Sequence, residues 1–169
     1  MIYFLTIMFT LPLSAQAKSG LIATIKKDFR AINTDKTLTK KTLSNEEFME
    51  NITDGGGELT GFYKKENLVK IIEWVGLSYG NRTREFYFKD NRLFFVYEKF
   101  QSFVINDSTG EMDHAKVKTT FEGRYYFSNN KVIEQKITGN RTFEGESGDT
   151  AKELLESATE NTRRLKQKK

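Results

Sequence analysis

The sequence predicts an α+β domain in which a twisted antiparallel sheet of about six to eight strands is packed on one face by N- and C-terminal helices. Three observations predict this fold. Apolar residues recur at helical spacing near both ends of the chain, and between them the apolar period becomes that of strands. Three central segments also share one pattern, which indicates a sheet of repeated hairpins.

The first 17 residues, MIYFLTIMFTLPLSAQA, are predicted to be a secretory signal peptide (1–17). They carry no charged side chain, and Ala15 and Ala17 supply the small residues of a cleavage site. A buried strand and an uncleaved anchor are the alternatives, but an apolar run of roughly 12 residues is short for a membrane span of about 20. We therefore expect cleavage after Ala17, a periplasmic or secreted location, and no membrane span in the mature chain.

The mature chain, residues 18–169, has the length of one domain. Its first helix is predicted from Lys18 to about Asn33, because apolar residues follow three- and four-residue steps. Ser44 and Glu47 form a possible capping box for a short second helix, which ends at Gly55-Gly56-Gly57. A final helix is predicted to start at Asp149 or Thr150, after a sheet-breaking segment, Gly145–Gly148, and its basic C-terminus, Arg163–Lys169, is predicted to fray.

The hairpin segments are Gly61–Ile72, Phe86–Tyr97 and Tyr125–Lys136. Each places aromatic residues before a polar turn and a Leu or Val just after it, with Lys65-Glu66, Asp90-Asn91 and Asn129-Asn130 as turn pairs. In this register Phe88 lies opposite Leu93 and Phe86 opposite Phe95. The predicted core is Tyr63, Leu68, Ile72 and Trp74; Phe86, Phe88, Leu93 and Phe95; and Tyr125, Phe127 and Val132.

Composition argues against several classes of function. The chain has no cysteine, which excludes disulfides, thiol chemistry and a lipid-modified cysteine. Its one histidine, His114, supports neither a structural zinc site nor a histidine-based triad, so we predict no catalytic residues, no metal and no cofactor. The net charge of +4 combines basic ends with an acidic middle, which is not typical of a nucleic-acid-binding face.

Two weaker candidate sites contain carboxylates. The loop Asn106–Asp113 offers alternating oxygen ligands around Gly110, but it lacks the spacing of a calcium loop, and a plain polar connection is favoured. A carboxylate pair for glycoside hydrolysis would have to come from strand residues whose spacing singles out no pair. These residues are Glu73, Glu85, Glu98, Glu122 and Glu134.

Aromatic residues outside the simplest core pattern are the remaining candidates. They can stack on sugars or anchor a protein partner, and they can equally be covered by the helices. We predict a non-enzymatic binding module that uses a sheet face or loops to bind an envelope protein or glycan. An inhibitor or chaperone-like partner of an exported protein is the alternative, followed by a hydrolase. The predicted ligand-binding residues are Trp74, Tyr79, Tyr87, Phe94, Phe100 and Tyr126.

Four segments carry a resemblance that covers most of the mature chain: Ile25–Asn33, Glu58–Gly76, Arg84–Phe100 and Phe121–Gln135. They resemble small exported proteins of Bacteroidetes-type bacteria, which have no established activity. The hairpins are also similar to bacterial hairpin-repeat modules, and the layout of helices and sheet resembles β-lactamase-inhibitor-like folds. These resemblances imply an exported α+β protein, but they transfer no functional residue, because fold does not fix function.

Overall fold

A computed structural model describes residues 13–140 and 149–167 of the chain. The helices of this part are α1 (Leu13–Thr34), α2 (Asn45–Phe48) and α3 (Thr150–Gln167). The strands are β1 (Thr39–Ser44), β2 (Gly57–Lys64), β3 (Asn67–Leu77), β4 (Gly80–Lys89), β5 (Arg92–Ile105), β6 (Met112–Ser128) and β7 (Lys131–Gly139). The strands form one open antiparallel sheet whose spatial order follows the chain, which confirms the α+β class and the antiparallel sheet.

Both ends of the fold match the predicted helices in part. α1 contains the whole predicted first helix and passes through the expected cleavage position after Ala17. Asp149 caps α3, since its Oδ1 accepts the Ala151 N–H at 3.0 Å, in line with the predicted helix start. Most of the predicted signal peptide, the sheet-breaking segment 145–148 and the last two residues lie outside the described residues.

The two terminal helices pack on opposite faces of the sheet, so the prediction that they share one face is wrong. Ile22 and Ile25 of α1 pack with a cluster that includes Tyr87, and we call this side the α1 face. Leu154 of α3 packs with a cluster that includes Phe86, and this side is the α3 face. Consecutive residues of a strand point to opposite sides, so a run of aromatics such as Phe86-Tyr87 gives each face an apolar patch to bury.

All three hairpins contain a register shift at the same place in the strand that leads into the turn. The shifts lie between Phe62 and Tyr63, between Tyr87 and Phe88, and between Tyr126 and Phe127. In the central hairpin, Phe88 lies opposite Leu93 as predicted, but Tyr87 lies opposite Phe95 and Phe94 is the extra residue of a β-bulge. The bulge turns both Phe94 and Phe95 to the α1 face. The predicted pair of Phe86 with Phe95 is therefore wrong, and Phe86 lies opposite Val96.

The same shift corrects the predicted core of the first hairpin. Val69 is the extra residue there, so Ile71 is buried on the α3 face, while Ile72 and Trp74 point to the other side. Tyr63 is half-buried and Leu68 packs against the core. In the third hairpin the predicted core set, Tyr125, Phe127 and Val132, packs on the α3 face.

The glycine-rich segment after α2 lies directly against β3. Gly76 donates its N–H to the Gly56 carbonyl at 2.9 Å, and the Thr53 hydroxyl donates to the Gly76 carbonyl at 2.6 Å. Gly56 has a φ of +69°, a conformation that glycine adopts at little cost. α2 ends at Phe48, so the prediction that the second helix runs to this glycine segment is wrong. The segment packs backbone to backbone on the sheet instead.

Candidate functional site

α1 covers the aromatic part of the α1 face. The Phe29 ring centroid lies 4.9 Å from that of Tyr87 and 5.1 Å from that of Phe95, and Phe95 lies 5.1 Å from Tyr126. Such tilted and edge-on contacts are the arrangements that aromatic pairs favour. These rings form the core between α1 and the sheet.

Beyond this core the α1 face continues as two rows of side chains that are half-buried or exposed. The strand register aligns one residue from each of β3 to β6 in each row. Two of these side chains are aromatic, one is aliphatic and five are polar or charged. We call this surface the open α1 face; its rows are Ile72, Glu85, Tyr97 and Arg124, then Trp74, Thr83, Lys99 and Glu122.

A cleft of about 500 Å³ lies where α1 meets the open α1 face. The helix contributes Ile25, Lys26, Phe29, Arg30 and Asn33, which share one side of α1. The sheet contributes Lys70, Glu85, Tyr87, Phe95, Tyr97, Arg124 and Tyr126. The cleft has the size and the mixture of aromatic and polar lining that are typical of small-ligand sites.

A polar network closes one side of the cleft. Lys70 Nζ lies 2.8 Å from Glu85 Oε2 and donates to Asn33 Oδ1 at 2.9 Å. The Tyr87 hydroxyl donates to Glu85 and also lies 3.1 Å from Asn33 Oδ1. Burial raises the pKa of Tyr87, and the Glu85 carboxylate raises it further. Tyr87 therefore stays a hydrogen-bond donor, and Asn33 fixes α1 to β3 and β4.

A second network orients Tyr97 on the open α1 face. Its hydroxyl donates to Glu122, and the Arg124 guanidinium lies 5.1 Å from its ring centroid. Burial and the hydrogen bond to Glu122 together raise the pKa of Tyr97 to about 12. The ring is therefore held in place before any ligand binds.

The six predicted binding residues fall into two groups. Trp74 and Tyr79 are 37% and 38% exposed, and the other four are buried. Tyr87, Phe94 and Tyr126 share the core under α1, where Tyr87 and Tyr126 also line the cleft, and Trp74 lies on the open α1 face. Tyr79 and Phe100 lie together elsewhere, with ring centroids 5.6 Å apart.

Three residues that line the cleft, Tyr97, Lys70 and Arg124, are not among the predicted binding residues. Tyr97 of β5 and Arg124 of β6 are neighbours in the strand register. Lys70 reaches the cleft because the bulge at Val69 turns its side chain to the α1 face. A strict two-residue alternation from the turns assigns the wrong side to Lys70 and Tyr97. Only the positions of the bulges would have shown which side of the sheet these two side chains occupy.

The strand carboxylates considered for hydrolysis are divided between the two faces. Glu98 and Glu73 lie on the α3 face, where Glu98 Oε1 is 2.6 Å from Arg84 Nε and Glu73 Oε2 accepts from Asn161 at 2.6 Å. Glu85 and Glu122 lie on the α1 face in the networks described above. Glu134 is 3.7 Å from both Lys18 and Lys136.

The other weak candidates lie away from the cleft. The loop after β5 is an exposed turn in which the Asn106 N–H donates to the Glu111 carbonyl at 2.8 Å. Its Asp113 is 2.9 Å from Lys116, and the His114 ring lies 4.5 Å from that of Phe103. Across residues 13–140 and 149–167, no group of three or more histidines or carboxylates is arranged to hold a metal ion.

Comparisons with protein-family models, with curated proteins and with solved structures give no match for this chain. None of the helices in the described part is long and apolar enough to cross a membrane. The function must therefore be inferred from the geometry and chemistry of the open α1 face and its cleft.

Proposed function

We propose that this protein is an exported binding module without catalytic activity that binds a carbohydrate of the cell envelope on the open α1 face. One observation carries the proposal. Two aromatic side chains, Trp74 and Tyr97, lie on a mostly polar sheet surface beside a ligand-sized cleft. The export and the cell-envelope location rest on the predicted signal peptide and on the resemblance to small exported bacterial proteins.

The two aromatic residues are spaced for an oligosaccharide. Trp74 and Tyr97 are two strands and two residues apart in the register. Strands about 4.8 Å apart with a rise of about 3.4 Å per residue put their Cα atoms roughly 12 Å from each other. The flat faces of sugar rings pack on aromatic rings, so two such contacts at this distance favour a chain of sugars over a single one.

The polar side chains around the two rings suit a ligand rich in hydroxyl groups. Glu85 and Glu122 supply charged acceptors, and Arg124 supplies charged donors. Hydrogen bonds to charged groups are stronger than those between two neutral groups. A protein partner usually covers a contiguous apolar patch, whereas the open α1 face has only Ile72 as an aliphatic residue. Carbohydrate is therefore the favoured ligand class.

Fluorescence offers a direct test, because Trp74 is the single tryptophan of the chain. We expect oligosaccharide probes, both neutral and acidic, to be bound with a saturable change in Trp74 emission and a matching signal in calorimetry. Replacing Trp74 with Ala is expected to weaken binding by about tenfold or more, equal to about 1.4 kcal/mol, through the loss of one stacking contact.

Tyr79→Ala is the matched control, because Tyr79 is equally exposed but packs beside Phe100, away from this surface. It should leave the affinity unchanged. Equal losses in the two variants would contradict the assignment of the surface. Turnover of a probe at a rate that is lost on replacing Glu85 or Glu122 would contradict the non-enzymatic function.

A second candidate is an inhibitor or chaperone-like partner of an exported protein. The β5–β6 hairpin extends beyond its neighbours, since β4 pairs with β5 only as far as Ser102 and β7 pairs with β6 only from Phe121. Its projecting part carries the exposed side chains of Ile105, Met112 and Val117. Failure to recover a stoichiometric partner from periplasmic extract would count against this candidate.

We also infer that the three hairpins are copies of one repeated unit. The support is the identical place of the turn and of the bulge in each hairpin. This origin explains why residues at equivalent positions, such as Tyr87 and Tyr126, meet in one cluster.

A further inference from the structure

We infer that the carbohydrate bound at the cleft is acidic, and that Lys26 and Arg30 of α1, facing Arg124 of β6, hold its negative charge. This inference rests on the proposed function and names its ligand class. The lining of the cleft contains four cationic side chains, Lys26, Arg30, Lys70 and Arg124, and one carboxylate, Glu85. Lys26 and Arg30 belong to the basic N-terminal part of the chain, whereas Lys70 and Arg124 come from the part between the basic ends, which is acidic overall.

Only some of these cations are neutralised within the protein. Lys70 is committed to Glu85 and Asn33, both within 2.9 Å. Arg124 has a weaker pairing, with its guanidinium 3.4 Å from Glu122 and its side chain 40% exposed. Lys26 and Arg30 are exposed, and neither side chain has an ion pair or hydrogen bond to any residue in 13–140 or 149–167.

Lys26 and Arg30 are also one helical turn apart on the same side of α1, where two like charges destabilise a helix. An anion between them removes this repulsion and gains attraction to both. Their neighbours Ile25 and Phe29 are packed against the sheet, which fixes this side of the helix at the mouth of the cleft. The two cations are therefore held at the entrance rather than spread over a freely moving segment.

The shared chemistry of the ligand is an oligosaccharide with anionic groups. Arginine binds carboxylate, sulfate and phosphate groups through parallel hydrogen bonds, so Arg30 and Arg124 suit any of the three. The rings of Trp74 and Tyr97 would contact the sugar faces, while the cations at the cleft contact a charged substituent. An acidic polypeptide would satisfy the cations but not the aromatic contacts.

The test compares matched probes on the full mature chain. The probes are an oligogalacturonate and its neutral methyl ester, a sulfated oligosaccharide and its unsulfated backbone, a phosphorylated oligosaccharide and its dephosphorylated form, and polyglutamate. We expect each acidic sugar that binds to have roughly tenfold higher affinity than its neutral partner. This difference in affinity should decrease as salt is added, because salt screens the attraction between charges. Comparison of the three pairs identifies which anion is recognised.

The double variant Lys26→Glu/Arg30→Glu should bind the acidic probe no more tightly than its neutral partner. Both residues are exposed, so the melting temperature should stay close to that of the wild type. Lys27→Glu/Lys36→Glu is the matched control, because it changes the net charge equally at exposed residues that do not line the cleft. This control should keep the preference.

The outcomes separate the two proposals. Equal affinity for acidic and neutral sugars, with binding still weakened in Trp74→Ala, overturns the present inference and leaves the proposed function standing. Equal losses in the two charge-reversal variants show nonspecific attraction and overturn it as well. Polyglutamate binding as tightly as any sugar overturns the ligand class, and an absence of binding to every sugar probe overturns both proposals.

Discussion

At the scale of single residues, two glycines fix how the segment after α2 sits on the sheet. A Cβ atom built on Gly76 would lie 2.7 Å from the Gly55 carbonyl oxygen, a distance that real Cβ atoms essentially never show. The neighbouring atoms belong to backbone, which cannot turn away as a side chain can. Packing at this place therefore requires glycine for space.

Gly76→Ala is expected to lower the free energy of unfolding by about 1–3 kcal/mol, the usual cost of overpacking. Gly20→Ala is the control, because a Cβ on Gly20 in α1 meets no atom within 4 Å. That control should not lower the free energy of unfolding, since alanine is the better helix former. Urea denaturation followed by circular dichroism measures both, and an unchanged Gly76→Ala variant would contradict the expectation.

A buried ion pair is the second feature at this scale. Arg84 and Glu98 are 3% and 0% exposed, with Arg84 Nε 2.6 Å from Glu98 Oε1, and Arg84 also contacts Glu153 of α3. Burial acts to lower the pKa of Arg84, but the surrounding carboxylates, Glu98 foremost, raise it above its ordinary value. The pair ties β4 to β5 beneath α3.

Glu98→Gln should lower the free energy of unfolding by about 3 kcal/mol, because it leaves a buried guanidinium with less compensating charge. Glu156→Gln is the matched control, since Glu156 and Lys152 form an exposed pair 3.8 Å apart on α3. Its cost should stay under about 0.5 kcal/mol. The same denaturation experiment compares the two variants. Similar losses of unfolding free energy would show that the other carboxylates balance the charge of Arg84 without Glu98.

At the scale of elements, the hairpin turns differ in how well their residues suit the backbone. Asp90-Asn91 and Asn129-Asn130 have positive φ at both positions, as in type I′ turns, and Asn and Asp tolerate this conformation. In the first hairpin only Lys65 has a positive φ, +57°, which is unfavourable for a lysine. The first turn is therefore the strained member of the three.

Lys65→Gly should raise the free energy of unfolding by roughly 0.5–1 kcal/mol, because glycine adopts this conformation without the steric cost. Glu66→Gly, at the adjacent position with negative φ, is the control and should give no gain. Thermal denaturation of the two variants measures the difference. A higher free energy of unfolding in both variants would show that the effect does not come from the positive φ of Lys65.

At the scale of the whole molecule, the sheet separates two cores. Ile71 and Leu154 belong to the core between the sheet and α3, whereas Phe29 and Phe95 belong to the core between the sheet and α1. Side chains in different cores are separated by the sheet and share no cluster. Changes on opposite faces should therefore act independently on stability.

A pair of double-mutant cycles tests this separation. Phe29→Leu combined with Ile71→Val should give a loss of unfolding free energy that equals the sum of the single losses within about 0.5 kcal/mol. Phe29→Leu combined with Phe95→Leu should depart from additivity by more than that, because their rings are 5.1 Å apart. Strong coupling between Phe29 and Ile71 would contradict the separation of the two cores by the sheet.

Much of the fold could be predicted from local patterns, and much of the site could not. The three-to-four-residue spacing in α1, the cap at Asp149 and the turn at Asp90-Asn91 each depend on residues close in sequence, and each is confirmed. The predicted pairing of Phe95 with Phe86 was wrong, because a pattern of strict two-residue alternation does not reveal where a β-bulge inserts an extra residue. The same bulge puts Tyr97 on the side opposite to the one that alternation predicts, and the equivalent bulge at Val69 does the same for Lys70.

The sequence alone determined the two terminal helices, the hairpin turns and the antiparallel class, because hydrophobic period and turn chemistry act over a few residues. Only the tertiary structure decided which face each aromatic residue occupies and which helix covers it. Bulges set the side of each strand residue, and the two apolar faces draw α1 and α3 to opposite sides. Tyr87 and Trp74 both lie on the α1 face, but α1 covers Tyr87 and leaves Trp74 exposed.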